Sequence, residues 1–127
     1  MKYILAAIIT LFVSFCANAE KVYKDISQQE LLKAGKGEFL IVDVRRPGEF
    51  EEGHVPNAIN IPLADIQASG DLLPPGDIPI VMYCRSGKRA NKALIIMHER
   101  GHSNLFHLEG DMLGWFDAEL PVAYPEK

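Results

Sequence analysis

The stretch Ile80-Val81-Met82-Tyr83-Cys84-Arg85-Ser86-Gly87-Lys88-Arg89 decides how this chain folds: an apolar run, one cysteine, then a cationic loop containing a glycine. The run reads as a buried strand, and residues 90–100 carry apolar side chains at helical spacing, so the loop joins strand to helix. Cys84 then stands at the C-terminal end of a strand. In open α/β sheets this edge binds ligands, because its loops face the N-termini of the following helices. Backbone N–H groups, the helix dipole and the nearby Arg85, Lys88 and Arg89 all favour a thiolate there. The expectation is a reactive, nucleophilic Cys84.

Upstream, Phe39-Leu40-Ile41-Val42-Asp43-Val44 is too continuously apolar for a half-exposed strand and belongs in the middle of a covered sheet. Asp43 interrupts it, and a carboxylate in that position needs a partner, with Arg45, Arg46 or nearby backbone donors as candidates. Residues 22–26 form a first strand. Ser27 and Glu30 make a capping box for a helix to about Ala34, with Gly35 as its left-handed stop. Pro47 opens a helical turn, residues 58–61 form a third strand, residues 63–68 one or two helical turns, and residues 72–77 an apolar anchor and turn. The fourth strand spans 78–83. Beyond it, Ala90, Ala93, Leu94 and Met97 share one helical face, Gly101 stops that helix, residues 104–108 make a fifth strand, and Asp111 caps a last helix carrying Trp115. Strands alternating with helices imply an α/β domain: a central, mainly parallel five-stranded sheet with helices on both faces.

Residues 1–19 read as a secretory leader. Lys2 supplies the positive start, residues 3–16 an almost unbroken apolar stretch, and Ala17-Asn18-Ala19 a small-x-small cleavage pattern before Glu20. The expected mature domain is 20–127, exported to the periplasm and without stable membrane association after cleavage. Of the thirteen Lys and Arg, Lys2 leaves with the leader, so twelve face seventeen Asp and Glu and the mature net charge is near −5. That acidity argues against nucleic acid as a partner, which a basic excess would track. Cys16 leaves too, making Cys84 the one thiol of the mature chain and an internal disulfide impossible. A lone cysteine is usually a small core hydrophobe. Three cations and a glycine within the next five residues point here to function instead.

The run Asp43-Val44-Arg45-Arg46-Pro47-Gly48-Glu49-Phe50-Glu51-Glu52-Gly53-His54-Val55-Pro56-Asn57-Ala58-Ile59-Asn60-Ile61-Pro62 resembles the rhodanese-domain signature, D-V-R, then E-F, then G-H-[IV], then A-x-N-[IV]-P. The cysteine loop resembles the same family's active-site loop. The resemblance implies a single rhodanese-like domain in which Cys84 receives a transferable sulfur and the loop residues Arg85, Ser86, Gly87, Lys88 and Arg89 bind substrate around it. It implies that Asp43 and Arg45 support the active-site side of the sheet, and that His54 sits in a structural turn. Relatives often read G-G before a tryptophan helix, whereas here Asp111 stands in place of the second glycine. The implied partners are thiosulfate or another sulfane-sulfur donor and cyanide or a thiol acceptor. No cofactor and no metal is implied, and a monomer is expected.

Two rival readings share these residues. A cysteine phosphatase or arsenate reductase also places thiolate and arginine in one loop, but four residues separate Cys84 from Arg89 where the phosphatase cradle uses five, to fit a wider tetrahedral oxyanion. A non-catalytic persulfide carrier or redox sensor would use the same thiol. His54, His98, His102 and His107 are scattered without ligand spacing, so no zinc site is expected.

Overall fold

The computed structural model describes residues 21–69, 73 and 77–126. The expected leader, and most of the turn expected over 72–77, lie outside the described residues. Strands β1 (Lys24–Ile26), β2 (Leu40–Asp43), β3 (Ile59–Asn60), β4 (Ile80–Tyr83) and β5 (Leu105–Leu108) form one sheet in the order β1-β5-β4-β2-β3. Every pairing is parallel. The connections carry α1 (Gln28–Lys33), α2 (Pro47–Glu51), α3 (Leu63–Ala68) and α4 (Lys88–Glu99), and α5 (Asp111–Asp117) follows the last strand.

Strand β4 lies in the centre, paired with β2 and β5 and buried at all four positions, as its unbroken apolar sequence requires. Successive side chains of a strand point to opposite faces. Ile80, Met82 and Cys84 accordingly join Val42, Val44 and Leu105 in a core closed by Ile66 of α3 and Ala90, Ala93, Leu94 and Met97 of α4. Val81 and Tyr83 enter a second core with Ile41, Leu108, Leu31 of α1 and Met112 and Trp115 of α5. The sheet is thus covered on both faces, and the Trp115 indole N–H donates to the Pro121 carbonyl at 2.8 Å.

Several local features differ from the sequence reading. Ser27 does cap α1, accepting from the Glu30 amide at 3.1 Å, but that helix ends on an extended Ala34 and the left-handed glycine is Gly37, not Gly35. Helix α4 begins at Lys88, two residues earlier than the apolar pattern indicates, so Lys88 and Arg89 belong to its first turn rather than to the loop. Gly110, at φ 82°, is the N-cap of α5. Asp111 is already its first helical residue, held at φ 53°, and its carboxylate is used elsewhere.

Candidate active site

Four residues, 84–87, connect β4 to α4, and they fold back over the cysteine. Gly87 adopts φ 107°, a left-handed conformation that side chains disfavour, and a Cβ there would stand 3.1 Å from Asp111 Oδ2. This turn aims the Gly87 amide at Cys84 Sγ, 3.0 Å away, and the Ala90 amide approaches the same sulfur at 3.4 Å. Sγ therefore lies in a small nest of backbone donors at the start of α4, an arrangement suited to a sulfur anion. The Cys84 carbonyl accepts from the Met112 amide and the Arg85 carbonyl from the Leu113 amide, tying the loop to α5.

The thiol is also enclosed: Cys84 is 1 % exposed. A hollow of about 170 Å³ is lined by Arg45, Glu49, Glu52, Arg85, Met112, Leu113 and Phe116. It adjoins the loop through Arg85 and does not reach the sulfur. Of the residues expected to bind substrate, Arg85, Ser86 and Lys88 are exposed. Arg89 is not a lone cation. Its guanidinium grips Glu49 of α2 through two bonds of 2.7 and 3.0 Å. A cation in the first turn of a helix opposes the macrodipole, and Glu49 relieves that conflict. The hydrogen bonds from Arg89, aided by the Arg46 amide and opposed by burial, hold the Glu49 carboxyl down at about 2. The same pairing raises the Arg89 guanidinium above its ordinary value.

Asp43 and Arg45 meet at the end of β2, where Asp43 is in register with Tyr83, the residue before the cysteine. Asp43, fully buried, accepts the Arg45 amide at 2.9 Å, Arg45 Nε at 3.0 Å and Arg45 Nη2 at 2.6 Å, while the Tyr83 hydroxyl donates to it at 2.8 Å. Arg45 Nη2 also donates to the Gly53 carbonyl at 2.8 Å, and the Val55 amide donates to the Tyr83 hydroxyl at 3.1 Å. Burial alone would lower the Arg45 guanidinium, but its bonds and attraction to Asp43 prevail and raise it. Burial and the adjacent Asp43 push the Tyr83 phenol far up, so it remains a neutral donor. This network anchors the 53–55 turn to the ends of β2 and β4. His54 in that turn exchanges backbone hydrogen bonds with Ala123 and stacks on Phe50 at 3.7 Å between ring centres.

Sequence reasoning missed the group beneath Gly87. Asp111 Oδ1 accepts the Cys84 amide at 3.0 Å, and His107 Nε2 lies 3.0 and 2.9 Å from the two Asp111 oxygens. The available signal was His107 and Asp111 four residues apart across the β5–α5 turn.

Comparison with known proteins agrees with this geometry. The rhodanese-like domain description matches residues 22–118. A sulfurtransferase of Allochromatium vinosum is 33% identical over 87 residues, covering 68% of this chain and 80% of its own. A mitochondrial protein of Schizosaccharomyces pombe, named provisionally as a thiosulfate sulfurtransferase, is 30% identical over 110 residues, 77% of this chain and 75% of its own. The crystal structure of a rhodanese-related protein from Thermoplasma volcanium superposes with a TM-score of 0.72 at 27% identity, covering 81% of this chain and all of that one. With its parallel sheet, its cysteine held by two backbone amides and these relatives, the chain belongs to the rhodanese-like domain family, whose sulfurtransferase-named members support a sulfurtransferase-type enzyme.

Proposed function

We propose that this protein moves sulfane sulfur from thiosulfate to cyanide or a thiol through a Cys84 persulfide. The observation that carries the reading is the position of Sγ against the Gly87 and Ala90 amides. In the first half-reaction the Cys84 thiolate attacks the outer sulfur of thiosulfate; a new S–S bond forms, the S–S bond of thiosulfate breaks, and sulfite departs with the electron pair. In the second, cyanide or a thiolate attacks the terminal sulfur and the Cys84 thiolate leaves. Amides directed at a sulfur anion stabilise both the attacking and the departing forms. Arg85 and Lys88, exposed at the loop and the first turn of α4, are the cations placed to draw in the donor anion.

The enclosure of Cys84 requires the loop to open, or the side chain to turn outward, before thiosulfate reaches the sulfur. That same burial favours the second reading, a carrier whose persulfide persists until a partner takes it. We place the protein in the periplasm on the strength of residues 1–19. In its exported single-domain form it resembles the periplasmic rhodanese of the phage-shock response.

The deciding experiment incubates the purified protein with thiosulfate and follows intact mass. A gain of one sulfur in the wild type and none in Cys84→Ser is the expected result; an unlabelled wild type or a labelled variant refutes the mechanism. Fast turnover with cyanide marks the enzyme, whereas a persulfide that survives cyanide marks the carrier.

A further inference from the structure

His107 lies on the face of β5 that carries Leu105, beneath the start of α4, because alternate strand residues share a face. Its Nε2 meets both oxygens of Asp111, and since a carboxylate only accepts, Nε2 carries a proton. Asp111 passes the contact onward by accepting the Cys84 amide at 3.0 Å. The pair also packs under Gly87: a Cβ on that residue would lie 3.1 Å from Asp111 Oδ2 and 3.6 Å from His107 Nε2. Gly87 is the residue whose amide holds Sγ. Asp111 holds this position at φ 53°, in the left-handed region that aspartate enters more readily than most residues with a side chain.

We propose that His107 and Asp111 are a positioning pair for Cys84: Asp111 fixes the Cys84 amide, and the His107 imidazolium balances the carboxylate so that the thiolate does not face a bare negative charge. The inference rests on Cys84 reacting as a thiolate, as the proposed sulfur transfer requires. Other groups around the imidazole fit this role. On β1, Asp25 stands opposite His107 in register, with Oδ1 3.6 Å from Nδ1, although Lys21 also draws on that carboxylate at 3.4 Å. Tyr23 sits edge-on to the imidazole at 6.1 Å and turns its hydroxyl to Asn91 of α4, and the β4 neighbour Met82 carries no charge. The hydrogen bond to Asp111, opposed by burial and reinforced by the charges of Asp111 and Asp25, raises His107 above its ordinary value.

The test follows alkylation of Cys84 by iodoacetamide, a reaction of the thiolate, between about pH 5 and about pH 9, where histidine titrates. Peptide mass spectrometry on the full chain separates Cys84 from Cys16, and thermal melts establish that each variant is folded. His107→Gln keeps a donor toward Asp111 but carries no charge. It is expected to react about threefold to tenfold more slowly near neutral pH, the effect of half to one pH unit, and to lose the histidine limb of the profile. Adding Asp111→Asn removes the stranded negative charge while leaving an oxygen for the Cys84 amide, and is expected to restore the rate to within about twofold. Asp111→Asn alone is expected to react at least as fast as the wild type. A purely structural pair would give a double variant no better than His107→Gln; that result, an unchanged His107→Gln profile, or a slower Asp111→Asn overturns the proposal. Thiosulfate loading measured in parallel separates the two claims, since a wild type that takes up no sulfur while the alkylation pattern holds refutes the transfer reading alone.

Discussion

Replacing Asp43 with Asn puts the buried network beside the active site to a demanding test. The two Asp43 oxygens accept from the Arg45 amide, from Arg45 Nε and Nη2, and from the Tyr83 hydroxyl. Asparagine keeps one oxygen and substitutes an NH₂ for the other. With the NH₂ at Oδ1 it opposes the Arg45 amide and Nε; at Oδ2 it opposes Arg45 Nη2, so either orientation sets donor against donor. The exchange also leaves a buried guanidinium without its counter-charge, a loss of about 3–5 kcal/mol. For a domain of this size that corresponds to a fall in Tm of roughly 15–30 °C. In urea, with m about 1–3 kcal/mol/M, the midpoint moves down by roughly 1–5 M. Equilibrium urea unfolding followed by circular dichroism measures the change directly. The double variant Asp43→Asn, Arg45→Met then asks where the cost lies, because removing the orphaned cation as well is expected to recover part of the stability. A single variant that loses less than about 1 kcal/mol, or a double variant worse than the sum of its parts, refutes the assignment of this pair as a structural anchor.

Three further outcomes follow from the same geometry. Glu49 is held at about 2, below the ordinary 4.5, so its contribution is complete above 4.5 and is lost as pH falls toward 2. With side chains 27% and 32% exposed, solvent screens the pair and about 1–2 kcal/mol is expected. Acid titration of the urea midpoint should show this loss in the wild type and not in Glu49→Gln. His107 is raised above 6.5, which has the opposite sign: its stabilisation is complete below 6.5 and is lost as pH rises through the higher folded value, so the midpoint should fall with rising pH in the wild type and stay flatter in His107→Gln. Gly87→Ala introduces a Cβ at φ 107°, costing about 1–2 kcal/mol, and pushes the amide from Sγ; slower sulfur loading together with a lower melting temperature is expected, and an unchanged protein in both measurements counts against the nest.

The sheet was legible in the sequence because its central strands are continuous apolar runs and its helices carry clear stripes, signals set by burial. Leu40–Asp43 and Ile80–Tyr83 fall inside the expected strands for that reason. The start of α4 was not legible, because Lys88 and Arg89 lack apolar character and are made helical by the left-handed Gly87 before them. The thiol's nest of amides follows from this same turn, which composition does not reveal. The Glu49–Arg89 pair joins residues forty apart, and its possibility was visible only as charge; its existence depends on α2 and α4 meeting in space. Asp111 was misread as a cap because local sequence favours that role, whereas the tertiary fold gives its carboxylate the Cys84 amide instead.

The adjacency of Tyr83 and Cys84 has a consequence for how firmly β4 is set in the sheet. The two side chains face opposite layers, the phenol reaching a polar knot and the sulfur the amides of Gly87 and Ala90. Sliding the strand by a single position would drive a tyrosine hydroxyl into an aliphatic layer and leave a thiol against Asp43 and the Val55 amide, in addition to inverting every neighbour. The two residues therefore lock the alignment of the central strand from above and below, and substitutions that weaken either one are expected to loosen the sheet where the chemistry is done.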